Sequence, residues 1–225
     1  MLIGGLLKFS LIDYPGKVAA VVFTQGCNYR CPFCHNPELV LPELFESSLA
    51  PQDVFSFLEK RRGQLQGVVV TGGEPTLHAG LGSFLERVKS MGFLIKLDTN
   101  GSSPEVLRGL LERGLLDFVA MDVKSSPQYY CKAIGVMSDI ARPLASIELL
   151  KRSGVEHQFR TTALKPILGV EDAREIVQML GSGERCLFRR GTLEGKILDY
   201  GFFADKPEYS EEEWSEIVSL YKEAQ

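Results

Sequence analysis

Short continuous apolar runs alternate along this chain with stretches whose apolar residues return every three or four positions. Val18-Ala19-Ala20-Val21-Val22-Phe23 contains no polar residue and several branched ones, which marks a strand buried on both faces. Gly67 to Thr71, Phe93 to Leu97, Leu116 to Met121 and Glu156 to Thr161 read as further strands, with a short one around Cys186, Leu187 and Phe188. Helical spacing fills the intervals. Pro51 to Arg62 places Val54, Phe55 and Leu58 on one face, and Leu81 to Met91 does the same with Leu81, Phe84, Leu85 and Val88. Ser103 and Pro104 supply a cap and a first turn for a helix reaching about Arg113, which Gly114 stops. Arg142 to Ser153 and Val170 to Leu180 complete the set.

Strand and helix thus alternate every roughly 25–35 residues, the rhythm of βα units in a parallel sheet. About six units fit, too few for a closed barrel of eight. The unusual polar residues gather where strands end: Cys27 after the first, Gly72-Gly73-Glu74 after the second, Asp98 and Thr99 after the third, Asp122 and Lys124 after the fourth. Arg160 and Lys165 flank the end of the fifth. In parallel α/β folds that edge carries the active site. Ser210 with Glu213 forms a capping box that opens a last helix, with Trp214, Ile217, Val218 and Tyr221 on its apolar side. This tail either closes the side or bottom of the sheet or serves a partner. The reading is a single domain over 1–225, its main body about 13–190 and a C-terminal extension about 191–225.

Composition narrows the function classes. The 225 residues are 44% hydrophobic and 24% charged, the balance of an ordinary globular chain. Twenty-five Lys+Arg against 29 Asp+Glu give a net charge of −4, no footprint for nonspecific nucleic-acid binding. The run from Val18 to Phe23 is far too short to cross a bilayer. The N-terminal stretch lacks the basic and apolar regions of a signal peptide. Clustered cysteines in odd number, without an export signal, predict a reducing cytoplasm.

Three of the five cysteines, Cys27, Cys31 and Cys34, are spaced C-x3-C-x2-C. Three thiols cannot pair off, and close neighbours seldom reach disulfide geometry, so a metal centre is the natural use. A structural zinc site or a simple electron-transfer cubane wants four protein ligands. Cys131 and Cys186 stand far away and read as ordinary small buried or half-buried side chains. His35 directly follows Cys34, and neighbouring residues seldom both reach one tetrahedral metal. Three thiolates around a four-iron cluster would leave one iron open for chemistry.

With Phe33 before the third cysteine, the stretch resembles the signature of the radical S-adenosylmethionine enzymes. That resemblance implies an open partial (βα)6 TIM-type barrel with parallel strands, here followed by a C-terminal helix. It implies that Cys27, Cys31 and Cys34 bind a [4Fe–4S] cluster whose fourth iron is chelated by S-adenosylmethionine, with Phe33 beside the adenine. Gly72-Gly73-Glu74-Pro75 resembles the family segment whose backbone binds the amino group of S-adenosylmethionine. Two glycines let backbone approach a ligand; the plainer reading is a tight turn before a helix. Asp98-Thr99-Asn100-Gly101 and Asp122-Val123-Lys124 resemble segments of the glycyl-radical-enzyme activases. There the acids and the lysine lie against the methionyl end of the cofactor, and Asp98, Thr99 and Asp122 would help hold a monovalent cation. The plainer reading is an Asx-type turn and a local ion pair. Asp13-Tyr14-Pro15-Gly16 also resembles these activases and reads as a turn before a strand. Arg160 suits a carboxylate, a partner backbone or a structural ion pair.

The resemblance covers about Asp13 to Thr162. It implies an oxidoreductase that cleaves S-adenosylmethionine reductively and sets a glycyl radical on a partner, most closely anaerobic ribonucleoside-triphosphate reductase. Flavodoxin or ferredoxin would supply the electron. Two departures stand out. Five cysteines leave no room for a ferredoxin-like insert. The late rim, where one relative uses a histidine, is Arg189-Arg190-Gly191-Thr192-Leu193. The alternatives are a radical enzyme acting on a small molecule, of the 7-carboxy-7-deazaguanine synthase kind, and a non-enzymatic zinc-binding module.

Overall fold

The computed structural model describes residues 1–184, 186–205 and 208–223. Its sheet has seven strands in the order β1 (Ile3–Ser10), β2 (Ala19–Thr24), β3 (Gly67–Gly72), β4 (Leu94–Thr99), β5 (Phe118–Asp122), β6 (Glu156–Ala163) and β7 (Cys186–Arg190). From β2 to β7 every neighbour is parallel, and β1 pairs antiparallel with β2. The sheet stays open, with β1 and β7 as its edges. The helices are α1 (Pro37–Val40), α2 (Pro51–Glu59), α3 (Leu81–Ser90), α4 (Pro104–Glu112), α5 (Tyr130–Ile134), α6 (Ala141–Ser153), α7 (Val170–Leu180) and α8 (Glu211–Glu223).

The six parallel strands are those the apolar runs predict, with shifted ends. The alternation of side chains along each strand assigns the two faces. Ala20 and Val22, Val68 and Val70, Ile95 and Leu97, Val119 and Met121 face the helices and form the main core. The intervening residues face inward. Near the strand starts these are apolar: Ala19, Val21, Val69, Phe118 and Ala120 pack with Tyr14. Farther along they turn polar at Asp98, Asp122, Arg160 and Thr162. One sheet therefore buries an apolar floor and presents a charged rim on the same inner face.

Strand β1 has no counterpart in the apolar pattern. It contains Gly4, Gly5 and Lys8, and only its end residues Ile3 and Ser10 are buried. Two irregularities in its pairing with β2 remove any clean period. Its effect is to cover the edge of β2. Asp98, Thr99 and Asp122 are the last residues of their strands rather than the first of the loops, and Arg160 lies inside β6. Strand geometry thus holds these side chains in register. The helices α1 and α5 are too short to leave a periodic signal.

The capping box at the C-terminal helix forms as its residues predict. Ser210 N–H donates to Glu213 Oε2 at 2.8 Å, and Glu213 N–H donates to Ser210 Oγ at 3.2 Å. Helix α8 packs against α7 and β7, so the tail closes the side of the sheet. Ile217 and Leu220 are its buried residues, Trp214 packs partly on the core, and Val218 and Tyr221 are only half-buried.

Candidate active site

Loops and strand ends from β2 to β6 meet around one cavity of about 270 Å³. The cluster and cofactor candidates line it: Cys27, Cys31, Phe33 and Cys34 from the loop after β2, Gly72 at the end of β3 with Gly73 and Glu74 just beyond, Asp98 and Thr99 from β4, and Asp122 at the end of β5 with Lys124 in the loop after it. Arg160 and Thr162 of β6 complete the wall.

The cysteine loop is pinned from both ends. Arg30 donates from Nη1 to the carbonyls of Cys27 (2.7 Å) and Tyr29 (2.8 Å), and its own N–H donates to the Ile134 carbonyl at 2.7 Å. Gly135 must stay small there, because a Cβ would stand 2.1 Å from the Arg30 oxygen, and its φ of +67° favours glycine. Tyr29, Cys31 and Phe33 are buried in a small apolar cluster with Tyr130, Ile134 and Phe203. Burial pushes the Cys27 thiol up to about 11 and that of Cys31 to about 12, and it raises Cys34 as well. The proximity of the three sulfurs adds to the shift at Cys27 and Cys31. Such thiolates call for compensating positive charge. None of the three is in a disulfide.

Among the described residues, no three His, Cys, Asp or Glu converge tightly enough for a single metal ion. Cys27, Cys31 and Cys34 line one cavity, and neither Cys131 nor Cys186 lines it. Three thiols without a fourth suit an iron–sulfur cluster with one open corner better than a structural zinc, which takes four protein ligands.

The fold itself requires the glycine pair. A Cβ on Gly72 would stand 2.3 Å from Thr24 N, and one on Gly73 would stand 2.0 Å from the Gly26 oxygen. Gly72 also has φ +116°. Both glycines therefore let the end of β3 lie directly on the start of the cysteine loop. Gly73 N–H donates to the Thr24 carbonyl (2.8 Å) and Glu74 N–H to the Gly26 carbonyl (2.7 Å).

Glu74 is a fully buried carboxylate, and burial raises its pKa. It accepts from Thr76 N–H (3.0 Å), Thr76 Oγ1 (2.5 Å), Thr99 Oγ1 (2.7 Å) and Asn100 N–H (2.7 Å). It braces the end of β3 against the end of β4. The Asx turn expected at this segment forms at Asn100, whose Oδ1 accepts from Ser102 N–H at 2.9 Å.

The acids form a charge network. Arg160, opposite Asp122 in the β5–β6 register, donates from Nε to Asp122 Oδ1 at 2.9 Å and from Nη1 to Asp98 Oδ2 at 3.1 Å. Lys124 Nζ donates to Asp122 Oδ2 at 2.9 Å, and buried Lys96 pairs with Asp98. Burial alone would raise Asp122, yet Arg160 and Lys124 hold its carboxyl well below the usual range. Burial would lower Lys124, yet Asp122 and the Cys31 and Cys27 sulfurs hold its ammonium above its ordinary value. Lys96 was not anticipated. It sits two residues before Asp98 in a strand, on the same face, so the period of two could have found it.

Of the other residues the sequence singles out, His35 lies at the rim, and Lys165 and the late-rim segment lie outside. His35 places Nδ1 3.2 Å from the Lys196 carbonyl at the cavity rim. Lys165 turns away to pair with Glu213 at 2.7 Å. Arg190, Gly191, Thr192 and Leu193 line a second cavity of about 380 Å³ with Lys165 and Tyr209. Cys131 Sγ faces the Ser138 carbonyl at 3.7 Å and Cys186 is buried against Thr161.

The family model of the Radical SAM superfamily matches residues 21–181. A Methanocaldococcus jannaschii protein named "Putative glycyl-radical enzyme activating enzyme" is 34% identical over 182 residues, covering 79% of this chain and 74% of that one. A 7-carboxy-7-deazaguanine synthase of Methanopyrus kandleri is 32% identical over 219 residues, covering 77% of this chain and 84% of its own. Among solved structures, SuiB of Streptococcus suis bound to S-adenosylmethionine superposes with a TM-score of 0.65 at 15% identity, over 90% of this chain and 46% of that one. This last likeness concerns the fold.

Proposed function

This chain belongs to the radical SAM superfamily, and from that premise we propose that it is a glycyl-radical-enzyme activase whose cavity holds a [4Fe–4S] cluster and S-adenosylmethionine. The observation that carries the reading is the meeting of three cysteines, the glycine-led turn and the acidic strand ends on one cavity. When bound, the cluster and S-adenosylmethionine together supply a 5′-deoxyadenosyl radical by reductive cleavage of a carbon–sulfur bond. The chain's own residues bind and orient. Cys27, Cys31 and Cys34 are the cluster ligands. Phe33, only 5% exposed and on the cavity wall, offers a rigid apolar face for the adenine. Lys124 is the cation for the cofactor's carboxylate, held by Asp122. Gly72, Gly73 and Glu74 fix the backbone that meets its amino group, and Asp98 and Asp122 anchor the opposite wall through Arg160. A monovalent cation near Asp98, Thr99 and Asp122 would have to share both acids with that guanidinium, and the reading does not require one.

The partner in this proposal is a glycyl radical enzyme, most closely anaerobic ribonucleoside-triphosphate reductase, and flavodoxin or ferredoxin delivers the electron. The support is the relative named as a glycyl-radical enzyme activating enzyme. No helix among the described residues is long and apolar enough to cross a membrane, and a reducing cytoplasm suits such thiols. The second reading, a small-molecule enzyme, has the synthase likeness in its favour. Supplying the reduced, reconstituted protein and S-adenosylmethionine without oxygen to a candidate reductase, and separately to a carboxylated pterin, separates the two. A glycyl-radical EPR signal on the reductase supports the first. Its absence, with turnover of a carboxylated pterin and no protein partner, replaces it with the second.

A further inference from the structure

Asn100 is more rigidly held than a turn residue needs to be. Its backbone N–H donates to Glu74 Oε2 at 2.7 Å, and its Oδ1 accepts from Ser102 N–H at 2.9 Å. Because a backbone N–H can only donate, the second contact fixes which end of the amide faces Ser102. Nδ2 must then point the other way. There it donates to Asn28 Oδ1 at 3.0 Å and reaches Cys27 Sγ at 3.9 Å. Asn100 is only 5% exposed. Cys27 Sγ also receives the Tyr29 N–H at 3.4 Å. The Asx turn accounts for Oδ1. It does not account for an amide N–H aimed at a cysteine sulfur.

We propose that Asn100 is a positioning residue that donates to the Cys27 sulfur and thereby raises the reduction potential of the cluster bound there. The inference rests on the cluster assignment above. A reduced cluster carries one more negative charge than an oxidised one, so an N–H donor on a ligand sulfur stabilises the reduced form more. Glu74, Ser102 and Asn28 hold the donor in place before any cluster arrives, so little reorganisation accompanies electron entry.

The test is an EPR-monitored redox titration of the reconstituted cluster, without S-adenosylmethionine, in wild type, Asn100→Asp, Asn100→Ala and Asn28→Ala, with iron content measured for each. Asn100→Asp keeps the acceptor for Ser102 and replaces the donor by an acceptor. At a fixed ambient potential its ratio of reduced to oxidised cluster should fall about tenfold, which is about 59 mV for one electron. Asn100→Ala should fall less, and Asn28→Ala should stay within about twofold, since the donor survives. A fully loaded Asn100→Asp that titrates like wild type overturns the inference; if that variant takes up no iron, Asn100→Ala decides in the same way. Loss of iron in both variants also overturns it, because Asn100 would then hold the loop and not the potential. Wild type that binds no iron sinks the cluster assignment itself, a result distinct from an unshifted potential.

Discussion

Replacing Arg160 by methionine tests whether the rim is held by charge. Among the described residues, the Arg160 guanidinium is the group that touches both Asp98 and Asp122, and its side chain is 16% exposed. Removing one partner of a buried pair typically costs about 3–5 kcal/mol. Three features reduce that figure here. Asp98 keeps Lys96, Asp122 keeps Lys124, and the Asp122 side chain is 32% exposed. Arg160 also repels Lys96, so its loss returns part of the energy. The net expectation is about 2 kcal/mol. With a slope near 3 kcal/mol per molar, the urea midpoint of the cluster-free protein should fall by roughly 0.7 M at pH 7. Arg160→Lys should fall in between, since an ammonium lacks the fork that spans two carboxylates. The pH dependence has a definite sign. Asp122 is depressed in the folded state, so its contribution is present above the ordinary carboxylate pKa and is lost as pH falls through the folded value. Without Arg160 that folded value rises. The stability gap should therefore be constant from pH 7 down to about 4 and close below it. Equal midpoints at pH 7, or a gap that widens in acid, would refute the reasoning.

Other substitutions probe other parts of the frame. Gly73→Ala puts a methyl 2.0 Å from the Gly26 oxygen, and it should cost about 3 kcal/mol in urea unfolding and lower iron uptake, because backbone rather than a flexible side chain must move. Glu74→Gln keeps one acceptor oxygen but turns an N–H toward a donor that now bonds the carboxylate; a loss of about 2 kcal/mol by urea unfolding is expected. Cys131→Ala and Cys186→Ala should retain wild-type iron by colorimetric assay, whereas alanine at Cys27, Cys31 or Cys34 should not.

The fold was readable where burial on both faces leaves an unbroken apolar run. Val18 to Phe23 and Val68 to Val70 could hardly be anything but central parallel strands. Strand β1 was not readable, because Gly4, Gly5 and Lys8 break its period and its partner lies on one side only. That the motif residues gather at one strand edge was readable, and they do line one cavity, but how they bond to one another was not. Nothing in the chain order says that Arg160 lies opposite Asp122, since that follows from the β5–β6 register. The glycine pair was found at the right place for an incomplete reason: its closest neighbours are Thr24 and Gly26 of this chain. Lys96 was missed although the alternation that places Asp98 inward also places Lys96 there.

Chromatography of the products of S-adenosylmethionine tests the central claim most directly. Protein reconstituted with iron and sulfide without oxygen, then reduced, should convert S-adenosylmethionine to 5′-deoxyadenosine and methionine, and Cys31→Ala should form neither. A loaded wild type that yields no 5′-deoxyadenosine, or a Cys31→Ala protein that yields as much, would contradict the account.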